Sequence, residues 1–227
     1  MSRRNRVCGL FMVAVVLMAA APAAADWPEE FGMAFSGFIA TDQGLDNLAP
    51  GDRVLVVGTI EDVDPEGVVP WYPSFYEYTL YTTGIVVDAV EVAGSLTTVT
   101  CQGGRLEVRE DLGTPAEWGD GPVDMTAPPS FTDGTLWLAG GLEPVMLYLF
   151  PDYGMGQLAI DLLLDGGTVH FILGDPVEPV YGVWIINPPP SGQEVPPGYD
   201  AHLNGTIGMY YPTATGAATW SRVKALY

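Results

Sequence analysis

Short segments rich in Val, Ile, Thr, Leu and aromatic residues, each ended by Gly, Pro, Asp or Asn, occupy most of this chain. Such segments are typical of strands, because β-branched and aromatic side chains suit a pleated, half-buried surface and the punctuating residues favour tight turns. Helical periodicity is scarce. The pattern predicts an all-β fold, either an antiparallel β-sandwich or a partly open barrel of about ten strands.

Eleven segments carry the strand pattern, and about ten strands are expected. The segment 155–164 fits both a helical and an alternating template, and we interpret it as a strand. Tight turns are predicted at 165–167 and at Asn204-Gly205, because Gly, Asn and Asp tolerate positive φ. The candidate strands are 33–40, 53–63, 75–81, 85–92, 96–101, 105–110, 135–139, 145–150, 168–173, 181–186 and 201–209.

The first 25 residues have the pattern of a secretory signal peptide. Three arginines among the first six residues precede an apolar run over 7–20, and Ala23 and Ala25 form a small-residue cleavage pattern before Asp26. The apolar run is shorter than the roughly 20 residues that span a bilayer. The pattern predicts cleavage of 1–25 and export of the chain, to a secreted or periplasmic location.

The remaining residues, 26–227, are predicted to form a single all-β domain. A connection rich in Pro and Gly over 113–130 marks a possible internal boundary. A boundary there would divide the domain into two small lobes, and without a disulfide each lobe would bury little core. We therefore favour one sheet system with the connection packed across its surface.

The charge of the chain limits its partners. It contains 28 Asp and Glu residues against 8 Lys and Arg, a formal net charge of −20 at pH 7. Loss of the signal segment removes three arginines and no acid, which lowers the charge to −23. Such a surface repels phosphate backbones and anionic lipid headgroups, which argues against nucleic acid and anionic membrane surfaces as partners. Dispersed carboxylates also keep an apolar β-protein soluble.

Cysteine usage leaves the fold without covalent cross-links. Cys8 lies within the predicted signal peptide, so Cys101 is the one cysteine of the mature chain and no intrachain disulfide can form. Cys101 follows a strand-like run and is predicted to pack as a small apolar residue.

Aromatic residues are concentrated between positions 71 and 81, where six occur in eleven residues. Exposed on one face, such rings could stack on sugar rings or on a protein partner, because they offer large rigid apolar area with polar edges. Trp71, Tyr72 and Tyr76 are the candidate ligand-binding residues. The alternative interpretation is that one aromatic face of a strand is buried in the core.

Acidic residues are concentrated at 61–67, and they define a candidate metal site. Asp62, Asp64 and Glu66 alternate along the chain and could converge on calcium, a hard cation that prefers oxygen ligands. Pro73 stands where an EF-hand loop needs its bidentate Glu. A solvated strand end is the alternative, and calcium is the one cofactor that the sequence suggests.

Catalytic motifs are weak. His170 and His202 are the only histidines, both in predicted strands and without the spacing of a zinc site, and no Gly-x-Ser-x-Gly elbow occurs. The leading hypothesis is therefore an exported, non-catalytic binding or structural module at the cell envelope or outside the cell, with carbohydrate or protein as partner. The alternatives are a secreted carboxylate-dependent hydrolase of the glycosidase type and a calcium-stabilised surface or adhesion module.

Overall fold

Strands dominate the computed structural model, and within its described residues they join one antiparallel sheet. The structure describes residues 29–64, 69–112, 115–119, 121–173, 180–187 and 194–210. Residues 29–210 belong to one compact unit. The strands are β1 (Glu29–Thr41), β2 (Arg53–Asp64), β3 (Glu77–Thr83), β4 (Ile85–Ala93), β5 (Leu96–Gln102), β6 (Arg105–Asp111), β7 (Thr135–Phe150), β8 (Met155–Gly166), β9 (Val180–Asn187) and β10 (Ala201–Tyr210).

The sheet closes into a barrel. Its wall runs in the order β1, β2, β3, β6, β7, β8, β9 and β10, and β10 pairs again with β1. The predicted all-β, antiparallel fold is thus confirmed, and of the two predicted architectures the structure adopts the barrel. The barrel is closed and not partly open, because β1 pairs with β2 on one side and with β10 on the other.

The two strands outside this ring, β4 and β5, extend the hairpin formed by β3 and β6. Pairing runs from Glu77 opposite Asp111 to Ala93 opposite Leu96, so the four strands form one long hairpin. Its bends lie at Gly84 and at Gly103-Gly104, which all adopt positive φ. Glycine adopts that conformation without a Cβ clash. The two arms of the long hairpin can therefore bend side by side, one between β3 and β4 and the other between β5 and β6.

Alternate residues of the wall fill the barrel interior with large apolar side chains. Phe31 and Phe35 of β1 contact Trp137 of β7 and Trp184 of β9, at 6.4 and 4.8 Å between ring centroids. Neither β7 nor β9 pairs with β1, so these contacts cross the interior. Both indoles are fully buried. Burial of such a side chain contributes roughly 1.5–3 kcal/mol, so this packed interior is a main source of stability.

A second apolar layer covers the outside of β1, β2 and β3. Phe38 and Tyr81 point outward and are buried by the chain that connects β6 to β7, which includes a short helix, α1 (Pro129–Thr132). The ring of Trp118 packs on Phe38 at 4.7 Å and on Phe131 at 4.9 Å. The described part of the Pro-rich connection thus lies across the barrel surface.

Two local predictions were wrong. Residues 168–173 do not form a strand: the chain bends at Gly167, where φ is +93°, and continues as a short helix, α2 (His170–Leu173). Val169 is buried there and donates its N–H to Trp137 O, so the apolar run packs without pairing as a strand. Asn204-Gly205 is not a turn but the middle of β10, where a Cβ on Gly205 would lie 2.4 Å from Val183 O.

Other predictions were confirmed. The ambiguous segment 155–164 is part of strand β8. The segments 135–139 and 145–150, predicted as two strands, are instead joined in the single continuous strand β7. Cys101 is buried in β5, where burial raises the pKa of its thiol to about 12. The predicted signal peptide, 1–25, lies outside the described residues. Across the part of the chain that is described, no helix has the length and apolar character needed to span a membrane.

Candidate functional site

Residues 69–76, the described part of the loop between β2 and β3, are held against the barrel by aromatic contacts. Trp71 lies on Tyr78 with 4.2 Å between ring centroids, and the indole N–H of Trp137 donates to Pro70 O at 3.1 Å. The hydroxyl of Tyr78 accepts the backbone N–H of Tyr72 at 3.2 Å and donates to Glu110 Oε1 at 2.8 Å. Burial is the main reason that the pKa of Tyr78 is raised. The loop is therefore fixed in place on its inner side.

The outer side of this loop borders a cavity of about 450 Å³. We call it the aromatic cavity. It opens onto the surface, because Phe75 is 73% exposed and Pro73 and Ser74 are exposed as well. Its principal wall residues are Trp71, Phe75, Tyr76, Glu77, Tyr78 and Pro115.

The structure brings together two of the three predicted ligand-binding residues. Trp71 and Tyr76 line the aromatic cavity and are half-buried. Tyr72 is 54% exposed but lies outside the cavity wall. Phe75 was missed because the strand pattern placed it inside β3, whereas β3 begins at Glu77 and Phe75 lies in a turn closed by its N–H to Tyr72 O. The density of aromatic residues was the signal that located the site.

One carboxylate stands in the wall of the aromatic cavity. Glu77 Oε2 accepts the backbone N–H of Ala116 at 2.6 Å. Burial raises the pKa of Glu77, the hydrogen bond from Ala116 opposes that shift, and the nearby charges of Asp111 and Asp133 add to it. The site therefore combines aromatic faces with a polar acceptor that could bind a hydroxyl group.

The predicted calcium ligands are only partly visible. Asp62 and Asp64 are exposed on the outer side of the end of β2, and Asp62 Oδ1 accepts the N–H of Val63 at 2.9 Å. Glu66 lies outside the described residues. Within the described ranges no group of three or more His, Cys, Asp or Glu side chains could hold a metal ion. A calcium site at 62–66 stays a prediction.

A second cavity, of about 250 Å³, lies on the outer face of β1, β2 and β10. We call it the histidine cavity. Ser36 and His202 line it, with 3.1 Å between Ser36 Oγ and His202 Nε2. Asn187 Oδ1 lies 2.9 Å from His202 Nδ1. Sequence reasoning missed this group because its members come from three different strands and have no characteristic spacing.

Burial favours the neutral form of His202. The side chain is buried, and burial lowers its pKa, while the charge of Glu61 acts in the opposite direction. The ring of Phe38 packs edge-on against the imidazole at 5.6 Å. A neutral imidazole with one nitrogen facing a hydroxyl is able to accept a proton from it.

Positive charge in the described residues is already paired. Arg53 binds Asp42, Arg105 binds Asp165 and Glu107, and Arg109 binds Glu107. The arginine side chains of the described ranges are thus engaged by carboxylates.

We compared the chain with protein-family models, with curated proteins and with solved structures, and no significant match was found.

Proposed function

We propose that this protein is an exported binding module and that its ligand is a carbohydrate held in the aromatic cavity. The observation that supports this proposal is the grouping of Trp71, Phe75 and Tyr76 with the Glu77 carboxylate around one open cavity. Export rests on the signal-peptide pattern of residues 1–25.

The chemistry of the wall matches that of a sugar. A pyranose ring presents C–H groups on its faces and hydroxyls at its edges. Trp71, Phe75 and Tyr76 provide apolar ring surface for the faces, and Glu77 provides an acceptor for a hydroxyl. The volume is within the range of small-molecule sites, about 300–1,000 Å³.

The charge of the protein selects among sugars. With a net charge of −23 after loss of residues 1–25, the surface disfavours sulfated or uronic-acid glycans by Coulomb repulsion, particularly at low ionic strength. We therefore expect the ligand to be a neutral oligosaccharide.

The test is a glycan-array assay on residues 26–227, followed by calorimetric titration of the best neutral glycan. The variants Phe75→Ala and Tyr76→Ala should weaken binding about tenfold, equivalent to about 1.4 kcal/mol. Tyr153→Ala is the matched control, because Tyr153 is an exposed aromatic residue outside the cavity. Absence of glycan binding, or equal loss in the control variant, would contradict the proposal.

The glycan-array assay run with calcium and with a chelator tests whether binding needs the metal, and thermal melting under the same two conditions tests the predicted role of Asp62, Asp64 and Glu66. A raised melting midpoint in calcium would support the calcium-stabilised alternative, and an unchanged midpoint would count against it.

A further inference from the structure

The histidine cavity contains a hydrogen-bonded series of side chains that the aromatic cavity does not use. It runs from Ser36 on β1 through His202 on β10 to Asn187 on β9 and then to Asn204 on β10. Since β10 pairs with both β1 and β9, the barrel register itself places these side chains side by side: Ser36 is opposite Asn204, and Asn187 is opposite His202.

The direction of the hydrogen bonds fixes the tautomer of the imidazole. Asn187 Nδ2 donates to Asn204 Oδ1 at 3.2 Å, so Asn187 Oδ1 is the atom that faces His202 Nδ1. A carbonyl oxygen accepts only, so Nδ1 carries the proton and Nε2 of the neutral ring is an acceptor. The hydroxyl of Ser36 must then donate to Nε2.

The walls of the histidine cavity indicate what could approach this hydroxyl. Phe38, Trp118 and Pro196 provide an apolar wall, whereas Glu61 and Glu194 provide negative charge. The small volume suits a short acyl group, and the carboxylates repel anions. Uncharged or cationic molecules are therefore the compatible class.

We propose that Ser36 is an acyl-accepting nucleophile with His202 as its general base, that Asn187 positions His202, and that the substrates are short-chain esters of uncharged or cationic alcohols. This goes beyond the binding function proposed above and departs from the non-catalytic role expected from the sequence. It does not depend on carbohydrate binding.

The reaction proceeds in two balanced steps. Ser36 Oγ bonds to the ester carbonyl carbon while its proton passes to His202 Nε2, and the alcohol leaves with that proton as its C–O bond breaks. A water molecule then attacks the acyl-serine and gives a proton to His202, and His202 returns that proton to Ser36 Oγ as the acyl C–O bond breaks, which releases the carboxylic acid and the free serine. Thr59, directly opposite Ser36 on β2, lines the same cavity and supplies a hydroxyl that can donate to the carbonyl oxygen.

The decisive experiment treats residues 26–227 with an alkyl fluorophosphonate and maps the adduct by peptide mass spectrometry. The serine oxygen bonds to phosphorus, fluoride leaves, and the proton passes to His202. We expect the adduct on Ser36, a rate of labelling at least tenfold lower in His202→Gln, and no change in Ser95→Ala, a control at a half-buried serine in the β4–β5 turn. No adduct, an adduct at another residue, or an unchanged rate in His202→Gln would overturn the proposal. Because the adduct is mapped on the protein without substitutions, the labelled position tests the proposal even if a variant fails to fold.

Turnover of p-nitrophenyl esters tests two further assignments, which are the charge selectivity given by Glu61 and Glu194 and the positioning role of Asn187. The neutral p-nitrophenyl acetate should be hydrolysed faster than the anionic mono-p-nitrophenyl succinate, and equal rates would contradict the role of Glu61 and Glu194. Asn187→Ala should lower kcat with little change in KM, and Asn187→Asp should restore it because a carboxylate accepts the same N–H. Equal loss in both variants would exclude a positioning role.

Discussion

The ring of Trp71 lies on the ring of Tyr78 with 4.2 Å between their centroids and 36° between their planes. Tyr78 in turn contacts Trp137 in the barrel interior at 5.2 Å. Trp71 therefore belongs both to the wall of the aromatic cavity and to the packing that holds the β2–β3 loop on the barrel. A loss of binding on substitution of Trp71 would not by itself identify a ligand contact.

This double role gives the first prediction. Trp71→Ala should lower the free energy of unfolding by about 2–4 kcal/mol, because it removes a half-buried indole and its stacking on Tyr78. Phe75→Ala should change it by no more than about 0.5 kcal/mol, since Phe75 is 73% exposed. Urea denaturation of both variants measures the difference. Equal effects would show that the loop does not depend on the Trp71 contact.

A second prediction compares the two fully buried indoles. Trp137 donates its N–H to Pro70 O at 3.1 Å, whereas among the described residues the N–H of Trp184 has no partner. Trp137→Phe breaks a hydrogen bond and leaves a carbonyl group without its donor, while Trp184→Phe removes an unpaired polar group. We expect Trp137→Phe to be the more destabilising by about 1 kcal/mol in urea denaturation. The reverse order would indicate that the Trp184 indole is satisfied in solution.

The local sequence pattern was sufficient to predict most strands, because the alternation of apolar and polar side chains and the turn residues are signals that involve only a few neighbouring positions. It was insufficient at 168–173, where the apolar run that includes Val169 packs without pairing as a strand. It was also insufficient at Gly205, where glycine accommodates a neighbouring strand rather than a turn. Closure of the barrel depends on pairing between β1 and β10, which lie far apart in sequence and leave no local signal.

The two cavities also differ in whether the sequence could locate them. The aromatic cavity could be located from the sequence because most of its wall lies between Trp71 and Tyr78. The group formed by Ser36, Asn187 and His202 could not, since only the register of three strands brings these residues together.

A third prediction concerns the crossing of β1 and β2 at Gly37, opposite Gly58. A Cβ on Gly37 would lie 2.0 Å from Val57 O and 2.6 Å from the Cα of Gly58, so the strands would have to separate. Gly37→Ala should destabilise the protein by at least about 1–3 kcal/mol. Gly141→Ala is the matched control, because Gly141 lies in β7 with nothing within 4 Å of the added methyl group. A similar melting temperature for both variants would contradict the close approach.

The last prediction concerns the lowered pKa of His202. Burial lowers the pKa of His202 in the folded protein, and the unfolded value is about 6.5. As the pH falls below about 6.5, the unfolded chain binds a proton that the folded protein does not, so stability falls with pH in that range and is constant above it. The charge of Glu61 opposes this shift of the His202 pKa, and Glu194 lines the same cavity. Between pH 7.5 and 5.5 the wild-type protein should lose stability relative to His202→Gln, which has no titratable group at this position. Chemical denaturation of both proteins at several pH values measures this difference. A constant difference across the range would show that folding does not lower the pKa of His202.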